Sequence, residues 1–238
     1  MNTTPVDVLA FGAHPDDIEL GCSGTLLRLQ SLGYKIGMID MTRGEKGTRG
    51  TAEERKHEAA LGLKVLGFEF RENLDLGDQQ VRDTHEGRIK VVECIRRHRP
   101  RLVLTHFTSD RHPDHEGAGI LVKQAMFLSG AGNFEAKGEI HVPKRLICWL
   151  SHWIFEPNFY VDITDFYQKK LEASRCFTSQ FHNPNSTEPP TYISSPEFWD
   201  NLEARHRYFG TKIGVKYAEG FLVRDALKVN DPVAFLTV

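Results

Sequence analysis

The chain has 238 residues, of which 40% are hydrophobic and 26% are charged, as is usual for a globular protein. This length suits one large domain whose core needs no disulfides. The formal net charge is only -2, with no basic face typical of nucleic-acid binding, and the four cysteines are scattered. Because no signal-like or membrane-spanning apolar run is found, we expect a cytoplasmic protein without a membrane partner.

Strand-like apolar segments alternate with amphipathic helical segments along the chain. This alternation indicates a mostly parallel sheet with crossover helices, and so an α/β fold in one domain spanning 1–238. The predicted strands are 6–12, 35–41, 68–74, 102–106, 145–152 and 160–163, with an added edge strand over 215–223. The predicted helices are 23–32, 51–66, 84–98, one ending near 129, 164–181, and one from about Ser194 to 210 or 214. Helix starts are predicted at Thr51-x-x-Glu54, Asp83-x-x-Glu86, Thr164 and Ser194-x-x-Glu197.

Two polar loops each follow a buried strand. The first is Ala13-His14-Pro15-Asp16-Asp17-Ile18-Glu19, and the second runs from Ser109 to Gly117 and contains His112-Pro113-Asp114-His115. Sites in open α/β sheets lie at the carboxyl ends of the strands, so we expect both loops to meet at one edge of the sheet.

His14, Asp17 and His115 form a set of two imidazoles and one carboxylate. Catalytic zinc commonly has three such protein ligands and keeps a fourth position open for water, although Fe2+ suits the same set. Side chains of adjacent residues usually diverge, so we assign Asp17 to the metal and Asp16 to the proton of the attacking water.

The second loop offers two histidines three residues apart. One of His112 and His115 can bind metal while the other faces the substrate. Asp114 would then hold His112 as a charged imidazolium that donates to an oxyanion.

These motifs resemble the PIG-L/LmbE family of zinc-dependent N-acetylglucosamine deacetylases. The segments Gly44-Glu45 and Glu54-Arg55-x-x-Glu58 match a second block of that family, and Tyr217-Ala218-Glu219-Gly220-Phe221 matches the C-terminal block of one bacterial branch. That branch resembles the bacillithiol-biosynthesis deacetylase, which acts on N-acetylglucosaminyl-malate. The resemblance implies a Rossmann-like three-layer sandwich, a small N-acetylated amino-sugar substrate, and a homo-oligomer, either trimer or hexamer.

The resemblance also implies roles for single residues. His14, Asp17 and His115 would bind zinc, Asp16 would be the general base, and His112, oriented by Asp114, would stabilise the tetrahedral intermediate or protonate the leaving amine.

Two arginines would contact the substrate. Arg55 would lie in the pocket, unless it only pairs with Glu58, and Arg111 would bind a carboxylate of the aglycone. Relatives can carry a mobile tyrosine over the site, but Phe198 stands near that place here, and Tyr192 is the nearest tyrosine that could take the role.

The leading hypothesis is therefore metal-dependent hydrolysis of an N-acetyl group. Two alternatives remain open: an amidase acting on thiol-sugar conjugates, and a non-catalytic sugar-binding protein on the same scaffold. The other histidines, including His106, lack ligand spacing and are expected to be structural, with His152 as a wall of the pocket.

Overall fold

The computed structural model describes residues 4–153 and 156–233. Within these ranges, seven strands form one sheet in the order β3-β2-β1-β4-β5-β7-β6, in which the first five are parallel neighbours and β7 runs antiparallel to both β5 and β6. The strands are β1 (Val8–Gly12), β2 (Ile36–Asp40), β3 (Phe70–Asn73), β4 (Leu102–His106), β5 (Arg145–Trp149), β6 (Phe159–Asp162) and β7 (Ala218–Leu222).

Helices cover both faces of the sheet. Within the described ranges, no helix has the length and apolar character needed to cross a bilayer. The helices are α1 (Asp17–Gly21), α2 (Ser23–Ser31), α3 (Ala52–Leu66), α4 (His85–His98), α5 (Pro113–Leu128), α6 (Tyr167–Ser174) and α7 (Phe198–Ile213), with a 3-10 turn at Thr164–Phe166.

The core lies in two layers on either side of the sheet. Along β1, Leu9 and Phe11 point to the layer formed with α4 and α5, whereas Val8 and Ala10 point to the layer formed with α2 and α3. A parallel sheet that is buried on both faces needs such near-continuous apolar strands. The predicted α/β three-layer sandwich with a mostly parallel sheet is confirmed.

The C-terminal strand departs from the prediction. It was expected at an edge, but β7 is inserted between β5 and β6, and β6 forms the edge instead. Because β7 runs antiparallel to both neighbours, it adds an antiparallel end to an otherwise parallel sheet, as is common in large α/β sheets.

Helix starts agree with the prediction in one case and differ in others. Thr51 and Glu54 form the predicted capping box. Thr84, rather than Asp83, caps α4, because the Asp83 carboxylate is paired with Arg88.

The two C-terminal helices are shorter than predicted. Thr164 lies in the 3-10 turn that precedes α6, and α6 ends at Ser174, not near 181. Ser194 does not cap α7, because its hydroxyl accepts from Thr191 N–H and closes a local turn.

A buried ion pair joins β7 to the break between α1 and α2. Lys170 Nζ donates to Glu219 Oε1 at 2.8 Å and to the carbonyls of Glu19 and Leu20 at the end of α1. Glu219 also accepts from the N–H groups of Gly24 and Thr25 in the first turn of α2. One acid and one amine therefore satisfy polar groups at both ends of the helix break.

A second buried network holds the other side of α1. The Arg71 guanidinium binds both oxygens of Asp40 on β2 and, at 2.6 Å, Glu19 Oε1 on α1. The Glu19 side chain is fully buried, so this arginine supplies the positive charge that its carboxylate requires.

Substitution of Lys170 tests the first network. Removing one partner of a buried ion pair leaves the other charge unpaired, so Lys170→Met should lower the free energy of unfolding by about 3–5 kcal/mol in urea titrations. The neighbouring exposed Lys169→Met is the matched control and should cost about 1 kcal/mol or less. Equal losses in both variants would contradict the assigned role of Lys170.

Candidate active site

A cavity of about 640 Å³ opens at the carboxyl ends of β1 and β4. Both predicted loops contribute to it, and the walls are completed by the glycine-rich loop after β2, the segment after β5 and one face of α7. Residues named as candidates that line this cavity are His14, Asp16, Asp17, Arg55, Arg111, His112, His115 and Tyr192.

The loop after β1 directs its two aspartates to different places. Asp16 has a φ of 113°, a left-handed backbone conformation that is rare outside glycine and is found at functional sites. Arg55 Nη2 donates to the Pro15 carbonyl at 2.5 Å and steadies this turn. Asp17 follows as the first residue of α1, with its Oδ2 accepting from His14 N–H at 2.7 Å.

The side chains of His14, Asp17 and His115 meet inside the cavity. Asp17 Oδ2 lies 3.5 Å from His14 Nδ1, and Asp17 Oδ1 lies 3.2 Å from His115 Nε2. The two loops thus bring one ring nitrogen of each histidine to the same carboxylate.

The remaining ring nitrogens of these histidines face further carboxylates. His14 Nε2 lies 3.2 Å from Asp114 Oδ2 and also 3.2 Å from Asp78 Oδ1, and His115 Nδ1 lies 3.3 Å from Asp110 Oδ1. Metal-binding histidines usually have such partners, which fix the tautomer and the ring orientation.

The donor set fits a divalent cation. Burial opposes a charge on His115, but Asp17 and Asp110 outweigh it and raise its pKa to about 9. The pKa of His14 is also raised, because Asp114, Asp17 and Asp78 outweigh its burial. The carboxylates therefore favour a positive charge at this place. A ligand set of imidazole and carboxylate groups suits zinc and iron(II). Around the cavity, the groups close enough for shared coordination are His14/His112/His115, Asp17/His106/His115, Asp110/His115/His152 and His14/Asp78/Asp114, and a further group, Glu72/Cys94/His98, lies elsewhere. Among the described residues, His14, Asp17 and His115 do not form one such group by themselves, although members of the trio occur in all four groups at the cavity.

Asp16 has the properties of a proton acceptor. Its burial raises the pKa of the carboxyl to about 7, although the nearby Arg55 charge opposes the rise. Arg55 Nη2 lies 3.4 Å from Asp16 Oδ1. A carboxylate with a pKa near neutrality can both take and return a proton at physiological pH.

The structure contradicts the predicted contact between Asp114 and His112. The Asp114 carboxylate instead approaches His14 and accepts from the N–H groups of Gln79 and Val81. His112 Nδ1 accepts from Asp114 N–H at 3.2 Å as the N-cap of α5, which leaves the ring proton of the neutral form on Nε2.

The surroundings of His112 favour a neutral ring over the predicted imidazolium. Burial and the charges of His115 and His14 lower its pKa to about 4. A neutral ring with its proton on Nε2 is still a hydrogen-bond donor to an oxyanion.

Comparison with known proteins now places the chain in a family. The family model described as GlcNAc-PI de-N-acetylase (PIG-L) matches residues 9–126. A diacetylchitobiose deacetylase of Thermococcus kodakarensis is 32% identical over 227 residues, covering 90% of this chain and 81% of that protein. The chain belongs to the PIG-L family.

Two further relatives extend the match. The crystal structure of a conserved protein of Thermus thermophilus is 37% identical and superimposes with a TM-score of 0.85, covering 94% of this chain and 98% of that one. A Bacillus anthracis protein named "Probable N-acetyl-alpha-D-glucosaminyl L-malate deacetylase 2" is 22% identical, covering 81% of this chain and 93% of that protein.

In this PIG-L protein, Arg55 reaches the cavity because of a glycine. Gly44 has a φ of 65°, and a Cβ at that position would lie 2.1 Å from Arg55 Nη1. The alternative in which Arg55 pairs with Glu58 is wrong, because the Glu58 carboxylate is bonded to Thr178 and Ser179.

The outer wall of the cavity is aromatic and basic. The Arg111 guanidinium lies over the Tyr192 ring at 5.2 Å, and Tyr192 is 52% exposed at the mouth. Phe198 is buried beside it and has no polar group to offer. Arg205, on the face of α7 that lines the cavity, donates to the Ser151 carbonyl at 2.6 Å.

Several side chains of this site lay outside the prediction. Asp78 and Asp110 were not singled out, and His106 was expected to be structural, yet its Nε2 lies 3.1 Å from Asp17 Oδ2. His106 ends β4, and Asp110 lies in the loop after it, two residues before His112. Their position at the carboxyl end of a strand is the sequence feature that indicates a place in the site. Asp78 lies in an irregular segment and carries no such signal.

Substitution of Gly44 tests how Arg55 is placed. An alanine at a positive φ costs about 1–2 kcal/mol, and Gly44→Ala must also displace a buried guanidinium from its partners, for about 1–3 kcal/mol more. Gly33→Ala is the matched control, since Gly33 has a φ of 89° and open space around the Cβ position. Urea unfolding measures both losses, and equal values would show that Gly44 does not hold Arg55.

Proposed function

We propose that this chain is a metal-dependent hydrolase that removes the N-acetyl group from an N-acetylglucosaminide. The observation that carries the proposal is the placement of Asp16, with its raised pKa, beside the group formed by His14, Asp17 and His115. The diacetylchitobiose deacetylase named above, at 32% identity, supports the same reaction class.

The proposed ligands are His14 Nδ1, Asp17 and His115 Nε2. A divalent metal held there, zinc or iron(II), would polarise the acetamide carbonyl and lower the pKa of a water. Asp78, Asp110 and Asp114 support this set by facing the opposite ring nitrogens, which leaves the inner nitrogens free to bind.

The proton steps fall to the chain's own residues. Asp16 takes the proton of the attacking water and, as a carboxylic acid with a pKa near neutrality, returns it to the departing amine. His112 donates from Nε2 to the oxygen that becomes negative during attack. Arg55 pairs with Asp16 and lines the cavity, where a sugar hydroxyl can reach it.

We further propose N-acetylglucosaminyl-malate as the substrate. Lys46, Arg111 and Arg205 line the outer cavity, and none of the three forms an ion pair with a carboxylate within 4–153 or 156–233. Unpaired cations beside a sugar site favour an aglycone that carries carboxylates. The homo-oligomer expected from the resemblance stays a prediction.

The role of Asp16 is tested by Asp16→Asn. The amide cannot accept the water's proton, so kcat for acetate release should fall about 100- to 10,000-fold while metal content stays at the wild-type level. Asp75→Asn is the control, because Asp75 is also an aspartate with a positive φ of 50° but lies outside the cavity. Full activity of Asp16→Asn would remove it from the mechanism, and sugar binding without turnover by the metal-loaded wild type would favour the sugar-binding protein.

The substrate is tested by a panel with Arg111→Ala. Loss of a charged hydrogen bond costs about 1.5–3 kcal/mol, so kcat/KM for N-acetylglucosaminyl-malate should fall about 10- to 100-fold, with little change for neutral diacetylchitobiose. Arg101→Ala, at the amino end of β4 and so at the opposite end of the sheet, should change neither value. If the wild type prefers diacetylchitobiose or a thiol-sugar conjugate, the malate substrate is wrong although the deacetylase or amidase chemistry stands.

A further inference from the structure

Asp110 contacts several histidines beside the cavity through both of its carboxylate oxygens. Its Oδ1 accepts from His112 N–H at 2.8 Å and lies 2.9 Å from His152 Nδ1 and 3.3 Å from His115 Nδ1. Its Oδ2 accepts from His152 N–H at 3.1 Å. One carboxylate therefore contacts three histidines that come from two separate loops.

This carboxylate is charged and enclosed. The Asp110 side chain is 4% exposed, and its oxygens face His112 N–H, His152 N–H and His152 Nδ1 at hydrogen-bond distance, with His115 Nδ1 3.3 Å away. A buried anion with several donors is fixed in place, because any movement would leave its charge unsatisfied.

We propose that Asp110 is a positioning residue that orients His115 for the metal and His152 for the substrate. The inference rests on the proposed function, since it concerns the same metal site and cavity. On the His115 side, a proton held on Nδ1 by Asp110 leaves the lone pair of Nε2 directed at Asp17 and the metal position.

On the His152 side, the same argument yields a substrate contact. Nδ1 of His152 donates to Asp110, so Nε2 carries a lone pair, and no hydrogen bond from the described parts of the chain engages it. The ring lines the cavity between His115, at 5.3 Å, and Tyr192, at 5.6 Å between centroids. His152 thus presents an acceptor to a hydroxyl group of a bound sugar.

Substitutions can separate the effect of Asp110 on His115 from its effect on His152. Asp110→Asn disturbs both histidines. His152→Phe keeps the ring packing and the two backbone N–H donors to Asp110, and it removes the Nε2 acceptor together with the Nδ1 donor. Glu135→Gln is the control, because Glu135 pairs with His85 Nε2 away from the cavity and belongs to none of the possible ligand groups among the described residues.

Three readouts on the purified full chain test the proposal: the dissociation constant for Zn2+ by competition with a chromophoric chelator, the visible spectrum of the Co2+-loaded protein, and kcat and KM for an N-acetylglucosaminide. Asp110→Asn should weaken zinc binding about 10- to 100-fold, alter the cobalt spectrum and raise KM. His152→Phe should raise KM while zinc affinity and spectrum stay as in the wild type. Glu135→Gln should match the wild type in all three.

Wild-type zinc affinity and an unchanged cobalt spectrum in Asp110→Asn would overturn the positioning role, while the proposed deacetylase could still be fully active. An unchanged KM in His152→Phe would overturn the substrate contact. If Asp110→Asn does not fold, Asp110→Glu, which keeps the charge but shifts it by one methylene, should show the same loss of zinc affinity. A wild-type chain that takes up neither metal would overturn the metal site and this inference together.

Discussion

The site depends on how a five-residue helix is held against the sheet. α1 starts at Asp17 and ends at Gly21, too short to be stable through its own hydrogen bonds. It is held by buried charges instead. Arg71 binds the Glu19 side chain, and Lys170, paired with Glu219, binds the Glu19 carbonyl at the break between α1 and α2. These two buried networks hold α1, and with it Asp17, in place.

The interior of the cavity balances acids against imidazoles. Asp17, Asp78, Asp110 and Asp114 are buried, and each of them contacts a ring nitrogen of His14 or His115. Carboxylates in such number are costly to bury unless cations accompany them. A divalent ion in the cluster would offset the cost of burying them, so the proposed metal site would link metal binding to the stability of this end of the sheet.

The sequence predicted what depends on local pattern and missed what depends on partners distant in the chain. Apolar runs located β1 and β4, and the loops that follow them were correctly expected to meet, since His14 and Asp114 lie 3.2 Å apart although they are 100 residues apart in the chain. The partner of Asp114 was assigned wrongly, because proximity in sequence suggested His112, whereas the loop places the carboxylate against His14.

The same limit applies to elements and to supporting residues. Ser194 has the sequence of a helix cap but satisfies a local turn, and nothing in the 215–223 segment indicates that it lies between two strands. Glu219 belongs to a segment that was recognised as a family motif, yet its role in capping α2 became clear only from the fold.

The large separation in sequence between Glu219 and the helix that it caps has a consequence for biosynthesis. Gly24 and Glu219 are 195 positions apart, and Lys170 is also far beyond His115. The stretch 9–126, which the family model spans, holds every proposed metal ligand but neither half of the ion pair that closes the α1–α2 break. During synthesis the proposed ligands therefore precede both members of this ion pair, so the α1–α2 break can be closed as in the native fold only after β7 has been made and paired.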